Sequence, residues 1–138
     1  MALSAARSTQ RLYGVPFVHG YNLLQKGSTT IWQGALVIIN AGYAAPATAV
    51  ASLISAGVAQ ETVVNAGADG TKTVRVERGA YKFANSGGDA VVQADVGLNC
   101  YIVDDQTVCH TAGTSSIAGK VIALDDAAAS VWVEIGRF

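Results

Sequence analysis

From residue 31 onward, short apolar runs alternate with clusters of Gly, Asn, Asp, Ser and Thr at intervals of roughly ten residues. That is the rhythm of strands and tight turns in an all-β sandwich or barrel. The run "TKTVRVERGAYKFAN" sets Val74 and Val76 against Arg75 and Glu77, a period of two that gives a strand one buried and one solvated face. "IWQGALVIIN" supplies an earlier run. The stretch "AVASLISAGVAQETVVNAG" reads either as a short helix near Ala49 to Ala56 or as a strand, because alanine suits a helix without excluding a strand.

Two hairpins are expected toward the C-terminus. Cys100 to Val103 and Thr107 to His110 flank the turn-forming pair Asp104 and Asp105. Asp125 and Asp126 open a second turn, after which Val131, Val133 and Ile135 alternate with Trp132 and Glu134. By parity Trp132 points away from the core side of its strand, a position that favours an interface.

The first 30 residues differ. "LYGVPFVHGYNLL" sets Leu12, Tyr13, Val15, Phe17, Val18, Tyr21, Leu23 and Leu24 among the breakers Gly14, Pro16 and Gly20, which disfavour a continuous helix. The expectation is an extended arm over residues 1–30 and one β domain over 31–138. Such an arm can add a strand to an exposed sheet edge and place its side chains in pockets. Leu12, Tyr13, Val15, Phe17 and Tyr21, with Trp132, are therefore the candidate contact residues. The same apolar side chains would equally serve to cover one end of the chain's own core.

Composition adjusts this picture in one direction. Charged residues make up 14% of the 138 and hydrophobic ones 51%, against about 25% charged in an ordinary soluble domain. So little charge suggests that part of the surface is hidden against partners. A net charge of −1 supplies no basic field for nucleic acid. No apolar run is long enough for a spanning helix, and "MALSAARSTQRLYG" has no secretory apolar core, so no membrane association or export is expected.

The residues capable of chemistry do not assemble into a known site. His19, His110, Cys100, Cys109 and the two Asp pairs are the candidates. Cys109 and His110 are neighbours on one strand and face opposite ways. Turn chemistry already accounts for the Asp pairs. The cysteines lack zinc-site spacing and read as buried, reduced thiols on adjacent strands. "DDQT" and "DDAAAS" lack the ligand pattern of a calcium loop, and "AGADGT" and "NSGGDA" that of a phosphate loop. No catalytic residue, metal ligand or cofactor is expected, and the chain is read as non-enzymatic.

The stretch "GLNCYIVDDQTVCHTAGTSSIAGKVIALDDAAASVWVEIG" resembles the closing segment of phage capsid decoration proteins, also called head cement proteins. The matching residues are Tyr101, Val103, Asp104, Asp105, Thr107 and Val108, then Ala118, Gly119, Lys120 and Val121, and finally Val131, Trp132, Val133, Ile135 and Gly136. Over residues 72 to 98, "VRVERGAYKFANS" resembles an earlier strand of the family with less specificity. The first 60 residues carry no matching motif.

The resemblance implies a small β-sandwich or barrel, β-tulip-like, that binds the major capsid protein on the outer head surface as a homo-oligomer, often a trimer. It places the chain in the virion, assembled in the host cytoplasm, without nucleic-acid partner. The alternatives are a tail or ring subunit and a glycan-binding accessory module.

Overall fold

A computed structural model describes residues 1–10 and 20–135. Twelve strands follow in order: β1 (Gly20–Leu24), β2 (Thr29–Ile31), β3 (Leu36–Asn40), β4 (Tyr43–Pro46), β5 (Ile54–Ala59), β6 (Val63–Asn65), β7 (Thr73–Glu77), β8 (Gly79–Asn85), β9 (Asn99–Ile102), β10 (Thr107–Cys109), β11 (Ile117–Asp125) and β12 (Ser130–Ile135). Among the described residues the one helical turn is the 3-10 turn Gln93–Asp95. The chain is all-β.

The strands divide at Arg78 into two halves. Strands β10-β8-β12-β11-β9 close into a small barrel, antiparallel except for the short parallel pairing of β10 with β8. The earlier strands form a sheet in the order β1-β7-β5-β3-β4, with β2 and β6 as a separate ribbon. This sheet curls far enough that Gln25, just past β1, makes a parallel bridge to Ala44 on β4. In the β10-β8-β12-β11-β9 barrel, closure removes the exposed strand edges that would otherwise pair with other chains.

Alternation decides which side chains fill the interior. On β12, Val131, Val133 and Ile135 are buried while Ser130, Trp132 and Glu134 are half-buried. On β7, Val74 and Val76 are buried between the more exposed Thr73, Arg75 and Glu77. Strand β3 departs from this pattern because both its faces are covered. Leu36 and Ile38 join the barrel core with Tyr81, Phe83, Ile102 and Val131, whereas Val37 joins the second core with Ile31, Val74 and Val76. A strand buried on both faces reads as a continuous apolar run, which is why "ALVII" shows no period.

Both expected hairpins form. Strand β9 pairs with β10 across Asp104 and Asp105, and β11 pairs with β12 across a turn that begins at Asp126. The Asp104 carboxylate accepts the Gln106 backbone N–H at 3.0 Å, the side-chain turn that an Asp at this position makes. The ambiguous Ala49 to Ala56 segment is a turn that leads into β5.

The N-terminal region is more integrated than an arm. Strand β1 lies within residues 1–30 yet pairs with β7 along its whole length, from Gly20 opposite Glu77 to Leu24 opposite Thr73. Residues 1–10 lie across the two halves as a strap. The Arg7 N–H donates to the Gln33 carbonyl at 2.9 Å, the Lys82 N–H to the Gln10 carbonyl at 3.0 Å, and the Leu3 N–H to Asp105 Oδ1 at 2.8 Å. Gln10 thus occupies the edge of β8 beyond the end of β10.

Candidate functional site

Of the six candidate contact residues, Leu12, Tyr13, Val15 and Phe17 lie outside the described residues, as does His19. Tyr21 and Trp132 are described, and they sit on different sheets. Tyr21 is engaged within its own chain. Its hydroxyl donates to the Ala56 carbonyl at 2.7 Å and accepts from Arg78 Nε at 3.4 Å, and the Arg78 guanidinium stands 5.2 Å from its ring centroid. These contacts join β1 to β5 and to Arg78, the residue between β7 and β8.

Trp132 faces outward from the barrel, as parity requires. Its ring lies 5.9 Å from Lys82 Nζ, and its Nε1–H donates to Asp125 Oδ2 at 3.1 Å. Lys82 also bridges Asp125 and Asp126, and Ser130 Oγ donates to Asp126. The Lys82 ammonium holds the Asp126 carboxyl below the ordinary carboxylate range, while the Asp126 N–H and the Trp132 indole do the same for Asp125. The cluster holds the indole between Lys82 of β8 and Asp125 at the end of β11. It also anchors a turn in which Asp126, Ala127 and Ala128 all have positive φ, at 51°, 53° and 70°. Alanine avoids that region because its Cβ crowds the backbone.

The residues with possible chemistry are each occupied elsewhere. Cys100 is on the inner face with Ile102 and Val108, and Cys109 is one residue past Val108, on the outer face opposite Tyr101. Both thiols are free, and their opposed faces keep them from bonding to each other. Burial pushes the Cys100 thiol up to about 12, and burial raises Cys109 as well. Neither is an activated nucleophile. His110 points to solvent with Nδ1 2.8 Å from Asp95 Oδ2. Asp95 also accepts the Val92 N–H, the leading cause of its depressed pKa. Among the described residues no group of three or more His, Cys, Asp or Glu could hold a metal ion.

Asp104 and Asp105, adjacent in one turn, behave differently. Burial alone would raise both. At Asp104 the amine of Met1 and the Gln106 N–H outweigh it and lower the pKa. At Asp105 burial prevails and the pKa rises, even though the Leu3 N–H and Arg7 favour its charge. Arg7, itself partly desolvated, reaches Gln106 Oε1 and the Lys82 carbonyl. This polar seam between strap and barrel is structural in its geometry.

One surface carries no motif in the sequence. No Lys, Arg, Asp or Glu occurs from Gly27 to Gln60 or from Gln106 to Gly119. The fold brings the ends of these two runs together. The Leu53 N–H donates to Ser116 Oγ at 2.8 Å, Ser116 Oγ donates to the Val50 carbonyl, and Ser55 Oγ donates to the Ile117 carbonyl at 2.7 Å. Val50, Ile54 and Ile117 stay about half exposed there, at 51%, 53% and 47%. The length of the uncharged runs was the available signal, but their meeting depends on pairings distant in sequence.

In comparison with known proteins, no family model, no curated protein and no solved structure matches this chain.

Proposed function

We propose that this protein is a structural subunit of a phage particle, which binds the outer surface of the filled head and stabilises contacts between major capsid subunits. The observation that carries the reading is the sequence resemblance of the last 40 or so residues to head cement proteins. The residues of that motif are scaffold residues. Val108, Ala118, Val121, Val131, Val133 and Ile135 are buried in the barrel core, and Gly119 lies where β11 passes close to β12. The motif therefore specifies a barrel, and the role implied is mechanical rather than catalytic.

The surface is consistent with such a role. Low charge lets a subunit lie against a protein shell without desolvating ions. Trp132, held by Lys82 and Asp125, is an outward aromatic of the kind that anchors interfaces, and residues 12–17 would supply further contacts.

Co-sedimentation with purified filled heads that lack the protein tests the reading. The expected result is saturable pelleting with heads, at many copies spread over the shell. Pelleting with tails alone, or retention on a glycan array without head binding, would replace the reading with one of its two alternatives.

A further inference from the structure

We infer that residues 1–10 are a built-in occupant of a groove along the seam between the barrel and the loop joining β2 to β3, and that this groove, once the strap lifts, takes an extended, cation-bearing segment of another protein. The strap is then an autoinhibitory contact, a role that goes beyond head binding and does not depend on it.

The groove is defined by what the strap touches. At its floor lies Gly34, with φ at 89°, where a β-carbon would come within 2.5 Å of the Arg7 carbonyl oxygen and of Thr9 Oγ1. Its walls are main-chain groups. Gln33 offers its carbonyl to the Arg7 N–H and Gly34 its carbonyl to the Thr9 hydroxyl, while Lys82 offers its N–H to the Gln10 carbonyl and its own carbonyl to Arg7 Nη2. Such groups receive any extended backbone. One end of the groove is acidic. Asp104 pairs with the Met1 amine at 2.7 Å, and the buried Asp105 accepts the Leu3 N–H while its backbone carbonyl accepts the Leu36 N–H of β3 at 2.8 Å. Both carboxylates favour the charge on Arg7. Backbone walls select an extended segment, and a carboxylate pair selects one that carries a cation.

The strap can leave without unfolding the rest. Leu3, Arg7 and Thr9 are half-buried and its other seven residues are exposed. Its apolar hold is Leu3, packed against the second core. The remaining contacts are hydrogen bonds and an ion pair at an exposed chain end, for which water substitutes at little net cost. By contrast, β8 and β12 are fixed through Tyr81, Phe83, Val131 and Val133 in the barrel core. Segments with few buried apolar contacts open locally well before the whole fold does. Opening here frees both main-chain groups of Lys82 and strips Asp105 of the Leu3 N–H, so the groove is left with unmet bonds that a second extended segment can satisfy.

Fluorescence anisotropy with a synthetic peptide of residues 1–10, labelled at its C-terminal end, tests this on the full chain. The strap is loosened by combining Leu3→Asp with Arg7→Ala, which leaves every groove residue in place. This double variant is expected to bind the peptide saturably, with hydrogen exchange of the β12 amides unchanged. Wild type should bind at least about 10-fold more weakly, because its groove is free only in the fraction of molecules whose strap has lifted. Adding Gly34→Ala to the double variant should abolish binding. A peptide carrying Arg7→Glu should bind the double variant at least about 10-fold more weakly than the natural sequence, which tests the choice of a cation without altering the protein. No binding to a folded double variant would overturn the inference. Equal affinity of wild type and double variant would overturn it too, since the strap would then not occupy the site, and equal affinity of the two peptides would overturn the cationic partner.

Discussion

Gly119→Ala puts the fold to a sharp test, because one methyl group is added where β11 runs closest to β12. A β-carbon at Gly119 would overlap the Glu134 carbonyl oxygen, lie 2.8 Å from Val133 Cγ1 and 3.0 Å from the Glu134 carbonyl carbon. Carbon atoms in packed interiors sit about 3.5–4.0 Å apart, so β12 would have to retreat by most of an ångström. Two of the three atoms met are backbone, and β12 is held on its far side by six register partners on β8. Overpacking of a fixed core costs about 1–3 kcal/mol, with about 0.5–1 kcal/mol returned by the lower entropy of the unfolded chain. A net loss of about 2 kcal/mol is expected, or about 8 °C in Tm at roughly 4 °C per kcal/mol for a chain of this size. Gly88→Ala is the matched control, since a β-carbon there meets nothing within 4 Å, and it should change stability by less than about 0.5 kcal/mol. Urea unfolding followed by circular dichroism measures both. Equal stability of Gly119→Ala and wild type would refute the close approach, and with it the structural explanation of the Ala118–Val121 motif.

Lowering the pH should destabilise the protein. Asp89 accepts the Thr111 N–H and Asp95 the Val92 N–H, and both have depressed folded pKa values. Their stabilisation is present above the unfolded value of about 4 and is lost as pH falls through the folded one. Asp95→Asn should therefore flatten the acid limb of urea midpoint against pH. Asp105 has the opposite sign, because its folded pKa is raised: its contribution is fullest below the unfolded value and is lost as pH rises through the folded one. Asp105→Asn should thus gain stability relative to wild type between about pH 3 and pH 7, and an unchanged difference across that range would contradict the burial assigned to it. Neither thiol should react with an aromatic disulfide reagent at pH 8 until the protein unfolds, and rapid labelling of Cys100 in the native state would contradict its position inside the barrel. Ala127→Gly should raise stability by about 0.5–1 kcal/mol by relieving a positive-φ alanine, measured by the same urea titration.

How much of this was legible in sequence depended on how each element is stabilised. Strands β7 and β12 announced themselves because one face meets a core and the other meets water. The hairpins at Asp104 and Asp126 were legible from turn chemistry, which acts over a few residues. Strand β1 was hidden among Gly14, Pro16 and Gly20, and it exists through its pairing with β7, some 50 residues away. The β3 run was visible as apolar but not as the wall shared by two cores. The strap is held mainly through backbone groups, such as the Arg7 N–H and the Gln10 carbonyl, which every residue carries and no sequence pattern marks. The outward aim of Trp132 followed from parity alone, whereas its fixing by Lys82 and Asp125 required the β8–β12 register.

The most direct test of the structural-subunit account is cryo-electron microscopy of filled heads that lack the protein, before and after its addition. Ordered new density at the local three-fold positions of the lattice, into which the β10-β8-β12-β11-β9 barrel fits, is the predicted result. Heads that stay bare at saturating protein would contradict the account.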